Sequence, residues 1–282
     1  MTSLGTYDCE PTLTDSQVLE FCRSGYLMFE GVVPAEINRR TTEYTAVHDG
    51  TEPTGILMKD WFVEHVLCNR EAVGAVRSLL GADLHLPVLM SNHRRIGPRH
   101  VHAGWHVDGG SKFSHELHDL QVFYYPQDTP IELGPTEVLP GSHFLRNQQR
   151  YMAHLENIRG TVMTTAPAGS IFITVYHIWH RAVPLYCEGV RDMLKYVYWR
   201  TTPPERDWIH DPDFDFAHAN YEGNLPLQAA VEQFQISRDT AKLFYWLCGM
   251  GNRCQFAGGQ GWPIPGNRIG LPYGFPGPES SE

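Results

Sequence analysis

Trp105-His106-Val107-Asp108-Gly109 is the stretch on which the fold of this 282-residue chain turns. Side chains alternate along an extended segment, so His106 and Asp108, two residues apart, point to the same side. A second imidazole from a distant strand, for which His180 is the candidate, completes a face of three ligands. Two histidines and one carboxylate on one face, with the opposite positions open, suit non-haem Fe(II) in oxygenases. Arg191 follows His180 by eleven residues (191 − 180 = 11) and offers a fixed cation for the carboxylate of an organic co-substrate. By itself a His-x-Asp pattern says little in a chain with 15 histidines, where a surface His–Asp pair is the plainer reading. Its weight comes from the segments around it.

Upstream, Thr14-Asp15-Ser16-Gln17 reads as a capping box, with Thr14 as N-cap, Leu13 and Val18 as a staple, and Gly25 as the stop. Tyr26 to Val33 follows as a strand, and Pro34 opens a second helix reaching about Val47. Residues 60–80 read as one helix ending at Gly81. Short strands are expected at Leu84–Ser91, Trp105–Asp108, Leu120–Tyr125, Thr136–Leu139, Val162–Thr165, Ser170–Val175 and Met193–Trp199. Leu225 to Leu247 is helical again, with a possible break at Ser237-Arg238-Asp239, and the Gly/Pro/aromatic tail from Gly249 shows no periodicity. Helices, then many strands, then a late helix predict a mainly β fold with flanking α, a sandwich or barrel with helices packed on one face. One domain over 1–282 is expected, with a core at about 13–202 and a C-terminal helical extension and tail at 203–282.

Composition sets outer bounds. A hydrophobic content of 42% supports a sizeable core, and 20 Pro with 26 Gly suit a loop-rich β protein. A net charge of −10 argues against a nucleic-acid partner, though a local basic pocket remains compatible with it. No apolar run approaches the ~18 residues of a membrane span, and Met1 to Glu10 lacks the pattern of a secretory signal. Cys9, Cys22, Cys68, Cys187, Cys248 and Cys254 form no CxxC, so they read as reduced thiols of a cytoplasmic protein.

Four ordered segments give the chain a family likeness. Trp105-His106-Val107-Asp108-Gly109, then Gly134-Pro135-Thr136-Glu137-Val138-Leu139-Pro140-Gly141-Ser142-His143, then Pro167-Ala168-Gly169-Ser170-Ile171-Phe172-Ile173, then His180 with Arg191 resemble the phytanoyl-CoA dioxygenase family of Fe(II)/2-oxoglutarate oxygenases over roughly residues 13 to 202. The resemblance implies a double-stranded β-helix, or jelly-roll, core. It implies His106, Asp108 and His180 as iron ligands, Arg191 as anchor of the far carboxylate of 2-oxoglutarate, and O2 as co-substrate. It also implies hydroxylation or desaturation of a C–H bond in a small molecule, with succinate and CO2 released. Related halogenases carry a small residue where Asp108 stands, so the retained carboxylate speaks for oxygenation. His180 ends one strand and Arg191 lies on the next, which a hairpin would bring to one side of the site. Two departures stand out. The position two residues after the distal histidine, a hydroxyl residue in several members, is Ala182 here, leaving Thr174 or Tyr198 as substitute donors. His177 competes with His180, but only His180 has the family's step to Arg191.

Other candidates carry two readings each. His93-Arg94-Arg95 and Arg99-His100-Val101-His102 form either a basic rim for a substrate with an acidic group or a solvated loop. His143 reads as a structural turn residue. Among Tyr124, Trp179, Trp199 and Trp208, core is the reading for Tyr124 and Trp199, and a pocket lining is open for the others. Trp61 and Phe62 sit where the family builds a lid. The C-terminal helix and tail offer either a homodimer contact or a cover for the pocket. Competing classes are a cupin-like metalloenzyme that needs no 2-oxoglutarate, zinc hydrolysis on the same triad, and a non-catalytic small-molecule-binding module.

Overall fold

Local signals fix the first helix. In α1 (Asp15–Ser24) the Thr14 side chain accepts from the Gln17 amide, the Gln17 side chain accepts from the Thr14 amide, and Gly25 closes the helix at a left-handed φ of 77°. The computed structural model that shows this describes residues 5–48, 52–108, 114–145, 156–223 and 230–251. Pro34 precedes α2 (Ala35–Val47), as expected. The single helix expected over 60–80 is instead broken. A short α3 (Asp60–Phe62) runs into a π turn (Val63–Leu67), and Asn69 then caps α4 (Arg70–Leu80) by accepting from the Ala72 amide. Asn competes with the helix interior for backbone groups, so it serves better as a cap. The last helix, α5 (Ala230–Leu247), runs unbroken through 237–239: Ser237 donates to the Gln233 carbonyl within the helix, and Asp239 is held by His115. The tail from 252, including Cys254, lies outside the described residues; Cys9, Cys22, Cys68, Cys187 and Cys248 are free thiols.

Among the described residues twelve strands form: β1 (Thr6–Tyr7), β2 (Tyr26–Phe29), β3 (Leu84–His85), β4 (Ser91–Asn92), β5 (Arg95–Arg99), β6 (Asp119–Tyr125), β7 (Thr136–Val138), β8 (Val162–Met163), β9 (Ser170–Thr174), β10 (His180–Ala182), β11 (Leu185–Arg191) and β12 (Leu194–Trp199). A seven-stranded sheet has the order β1-β3-β12-β6-β9-β2, with β4 also on β12. A smaller sheet, β10-β7-β8, and a ribbon, β11-β5, complete the pairing of these strands, which is antiparallel throughout. The strand expected over Leu84–Ser91 splits into β3 and β4 with Pro87 between them. Trp105–Asp108 forms a single bridge, His106 with His180, rather than a strand.

Alternation along the large sheet separates two faces. Leu120, Val122 and Tyr124 of β6, Ile171 and Ile173 of β9, and Leu194, Tyr196 and Tyr198 of β12 join the main core with residues of α1, α2, α4 and α5. Phe123, Tyr125 and Phe172 point the other way and form a second cluster with Met193. Phe123 and Phe172 stack at 4.3 Å between centroids. The helices therefore cover one face of the large sheet, and the opposite face is left for chemistry. Among the described residues no helix is long and apolar enough to cross a membrane.

Candidate metal centre

His106 and His180 are locked together by backbone. Each amide donates to the other's carbonyl, at 3.1 and 3.0 Å, and the rings lie 4.4 Å apart. Nδ1 of His106 lies 2.8 Å from the Gly104 carbonyl, and Nδ1 of His180 lies 3.1 Å from the Ile178 carbonyl. A carbonyl only accepts, so each Nδ1 carries the proton and each Nε2 presents a lone pair. Asp108 joins them, and one ligand atom from each of the three residues falls within 4.8 Å of the others. Behind this face, Arg181 donates to Glu137 at 2.6 Å and lies over the Trp105 ring, while Thr161 donates to Glu137. That buried layer ties the residue before His106 to the residue after His180.

The electrostatics suit a cation. Burial holds the His180 imidazole down at about 4, so it is neutral and ready to ligate near pH 7. Burial alone would raise Asp108. His180 and Lys195, with hydrogen bonds from Lys195 and Gln121, outweigh it and hold the carboxyl at about 2. With His180 neutral, the remaining cation on Asp108 is Lys195, whose Nζ lies 2.7 Å from Oδ2. Gln121 Nε2 donates to the same oxygen, and Thr174 donates to Gln121 from the neighbouring strand.

A cavity of about 280 Å³ opens beside His106 and His180 and reaches Arg191, Thr136, Ala182, Lys195 and Arg95. Arg191 is 1% exposed, its Nε finds no hydrogen-bond partner, Nη1 reaches the Met193 sulfur, and the guanidinium is hydrogen-bonded with the Tyr125 side chain. A buried guanidinium with an unmet N–H awaits an acceptor. Two imidazoles and a carboxylate fit a divalent ion, and Arg191, with its unmet Nε, fits the far end of a dicarboxylate chelated to it.

Several expectations need correction. His180 and Arg191 are not joined by a hairpin: His180 begins β10, which pairs with β7, and Arg191 ends β11, which pairs with β5. Tyr198 lies on the helical face, where its hydroxyl donates to the Leu67 carbonyl, because three steps along β12 from Lys195 reverse its side. Thr174 faces inward but serves Gln121 at the Asp108 end and does not line the cavity. His177 stays outside the His–Asp–His cluster, with Nε2 near the Leu145 carbonyl. Tyr124, Trp179 and Trp208 are core, and Trp199 is half-buried against His85. Phe62 is core rather than lid. His143 is buried in its turn, with Nε2 on the Cys22 carbonyl.

Sequence reasoning missed Lys195, Gln121 and Thr136. Thr136 stands directly across from Ala182 in the β7–β10 register, so a hydroxyl absent from one strand is present on its neighbour. Lys195 was detectable as the lone charge in Leu194-Lys195-Tyr196-Val197-Tyr198-Trp199.

No protein-family model matches the chain. Its structure is similar to HygX from Streptomyces hygroscopicus, solved with nickel and 2-oxoglutarate, at a TM-score of 0.55 and 15% identity over 67% of this chain and 88% of that one. It is also similar to the non-haem α-ketoglutarate-dependent epimerase SnoN from nogalamycin biosynthesis (TM-score 0.52, 18% identity, 65% of this chain and 80% of that one). The α-ketoglutarate-dependent carbocyclase SnoK, from the same biosynthesis, matches at 0.52 and 17% identity over 71% of this chain and 91% of that one. At these identities the likeness is one of fold.

Proposed function

We propose that this protein is a non-haem Fe(II)- and 2-oxoglutarate-dependent oxygenase that hydroxylates a C–H bond of a small organic molecule, built as one domain on a double-stranded β-helix. The observation that carries the reading is one cavity lined both by His106 and His180 of the His106–Asp108–His180 cluster and by the buried Arg191, whose Nε has no hydrogen-bond partner. The named neighbours support the co-substrate, since HygX has been solved with 2-oxoglutarate and with hygromycin B, and SnoN and SnoK are α-ketoglutarate-dependent.

Bound there, Fe(II) with 2-oxoglutarate and O2 supplies the oxidant, releasing succinate and CO2. The chain's own residues do the rest. His106, Asp108 and His180 would hold the ion, each offering one ligand atom. Arg191 would receive the far carboxylate through its unmet Nε–H, with the Thr136 hydroxyl, across from Ala182 and now donating to the Met193 sulfur, as second donor. Phe123, Tyr125, Phe172 and Met193 wall off water behind the centre. Gln121 and Lys195 fix the Asp108 carboxylate.

Anaerobic titration of the metal-free protein with Fe(II) and then 2-oxoglutarate tests the reading. A visible metal-to-ligand charge-transfer band should appear in the wild type, disappear in His180→Ala, and weaken at least about tenfold in apparent 2-oxoglutarate affinity in Arg191→Ala, a lost charge-assisted contact. An iron-loaded wild type without the band would exclude 2-oxoglutarate and return the site to cupin-like chemistry of another kind.

A further inference from the structure

The ribbon formed by β5 and β11 carries more positive charge into the cavity than the metal and its co-substrate can use. Arg95 is the direct cross-strand partner of Arg191, so the two side chains leave the ribbon on one face. Arg99, at the end of the same strand, also lines the cavity. Gly97 is required by the ribbon itself, since a β-carbon there would come within 2.1 Å of the Cys187 carbonyl oxygen. The outward face is apolar instead, with Ile96 and Val190 paired and exposed.

Neither arginine meets a carboxylate among the described residues. Arg95 donates only to the main-chain carbonyls of Val183 and Val101, which orient its guanidinium without neutralising it. Burial and the neighbouring Arg191 and Arg99 press its pKa down to about 10. Arg94 differs, because it is paired with Asp192. Like charges crowded into one partly buried cavity are costly unless an anion joins them. Resting on the oxygenase reading, a charge count follows. A divalent ion, Asp108, doubly charged 2-oxoglutarate, Arg191 and Lys195 leave one net positive charge, and Arg95 and Arg99 raise it to three. This excess sits in a protein whose net charge is −10, so it is a local feature and not a property of the whole surface.

We propose that Arg95 and Arg99 form a substrate subsite for an oxyanion, so that the molecule oxidised here is an acidic one bearing a carboxylate or a phosphate ester. The anion seats on the ribbon and the rest of the molecule extends along the cavity toward His106 and His180. Val101, exposed at the cavity wall, offers an apolar contact for that part.

The test is calorimetric titration of inorganic phosphate, and separately acetate, into protein loaded with Ni(II) and 2-oxoglutarate. Wild type should bind, Arg95→Gln and Arg99→Gln should each weaken binding about tenfold, and the double variant should lose it, as expected for charge-assisted contacts. Affinity for 2-oxoglutarate should change by less than about threefold, well under the loss of one such contact. Arg99 is exposed, so its variant folds even if Arg95→Gln does not. Much tighter phosphate than acetate assigns a phosphate ester; comparable affinities assign a carboxylate. No binding of either anion overturns the subsite. So does unchanged binding in both variants, which would place the anion on the metal, or a loss of 2-oxoglutarate in Arg95→Gln with phosphate untouched, which would move Arg95 to the co-substrate. If the wild type fails to take up metal and 2-oxoglutarate at all, the oxygenase reading falls, and the same titrations on the metal-free protein still decide the subsite.

Discussion

Lys195 places a permanent cation 2.7 Å from a carboxylate expected to bind a divalent ion, and that arrangement has an energetic consequence. Without metal, Asp108 is mostly buried and Lys195 is its compensating charge. With metal, the ion supplies that compensation and Lys195 becomes a like-charged neighbour. Lys195→Met keeps an unbranched side chain of similar length and removes the ammonium, with its bond to Asp108 and its place 5.7 Å from the Phe123 ring centroid. The metal-free protein should lose about 2 kcal/mol, less than a fully buried pair because both partners keep some solvent. The Ni(II)-loaded protein should lose much less, so the stabilisation by metal grows. Urea unfolding with chelator and with Ni(II) measures both, and equal losses would show that Lys195 does not compensate Asp108. His106 and Asp108 were readable as a pair because the His-x-Asp step sets them on one side, and His180 entered through the family resemblance and its step to Arg191. Lys195 stood out only as the lone charge in its strand, and neither its place nor that of Gln121 beside Asp108 could be read, because both depend on the register of β12 and β9 against β6, which no single strand encodes.

Among the elements, α1 was the most legible and β5 the least. Thr14, Gln17 and Gly25 write both ends of α1 locally. Arg95-Ile96-Gly97-Pro98-Arg99 holds two charges, a glycine and a proline and reads as loop; β11 makes it a strand from about ninety residues away. The same distant pairing turns a neutral choice between rim and loop into a cavity wall. Beyond its cap, α1 is bound to a segment after residue 202 that composition did not connect with it. Asp15, fully buried, accepts from Arg206 at 2.7 and 2.6 Å, from the Trp208 indole at 2.9 Å and from the Asp211 amide at 2.8 Å. Thr14→Ala removes one cap and should cost about 1 kcal/mol. Asp15→Ala strands the Trp208 N–H and the Asp211 amide and releases Arg206, and should cost about 3 kcal/mol. Chemical denaturation ranks the two, and equal costs would mean that residues 206–211 are only loosely held on α1.

The molecule as a whole hangs its metal face on the turn at 140–143, which the sequence marked only as a turn. Gly141 donates to the Ser24 carbonyl at the end of α1, Leu139 donates to the Trp179 carbonyl, and the Trp179 amide donates to Ser142 just before His180. His143 fills the centre of this junction, 3% exposed, against the glycine that ends α1. Burial, aided by His177 and opposed by the Cys22 carbonyl, pulls its pKa down to about 4. In the unfolded chain it titrates at about 6.5. Between these values the unfolded chain binds a proton that the folded one refuses, so stability is full above pH 6.5 and falls as pH drops toward 4. The slope from this one residue is about 1.4 kcal/mol per pH unit, and it vanishes below 4, where both states are protonated. His143→Gln retains an amide that donates to the Cys22 carbonyl and has nothing to titrate. A series of urea unfolding curves from pH 7 to pH 5, taken without metal, should therefore show wild-type stability falling more steeply than the variant's by about one proton's worth. Parallel curves would mean that His143 takes up its proton in the folded protein, and that the junction beneath His180 tolerates a charge.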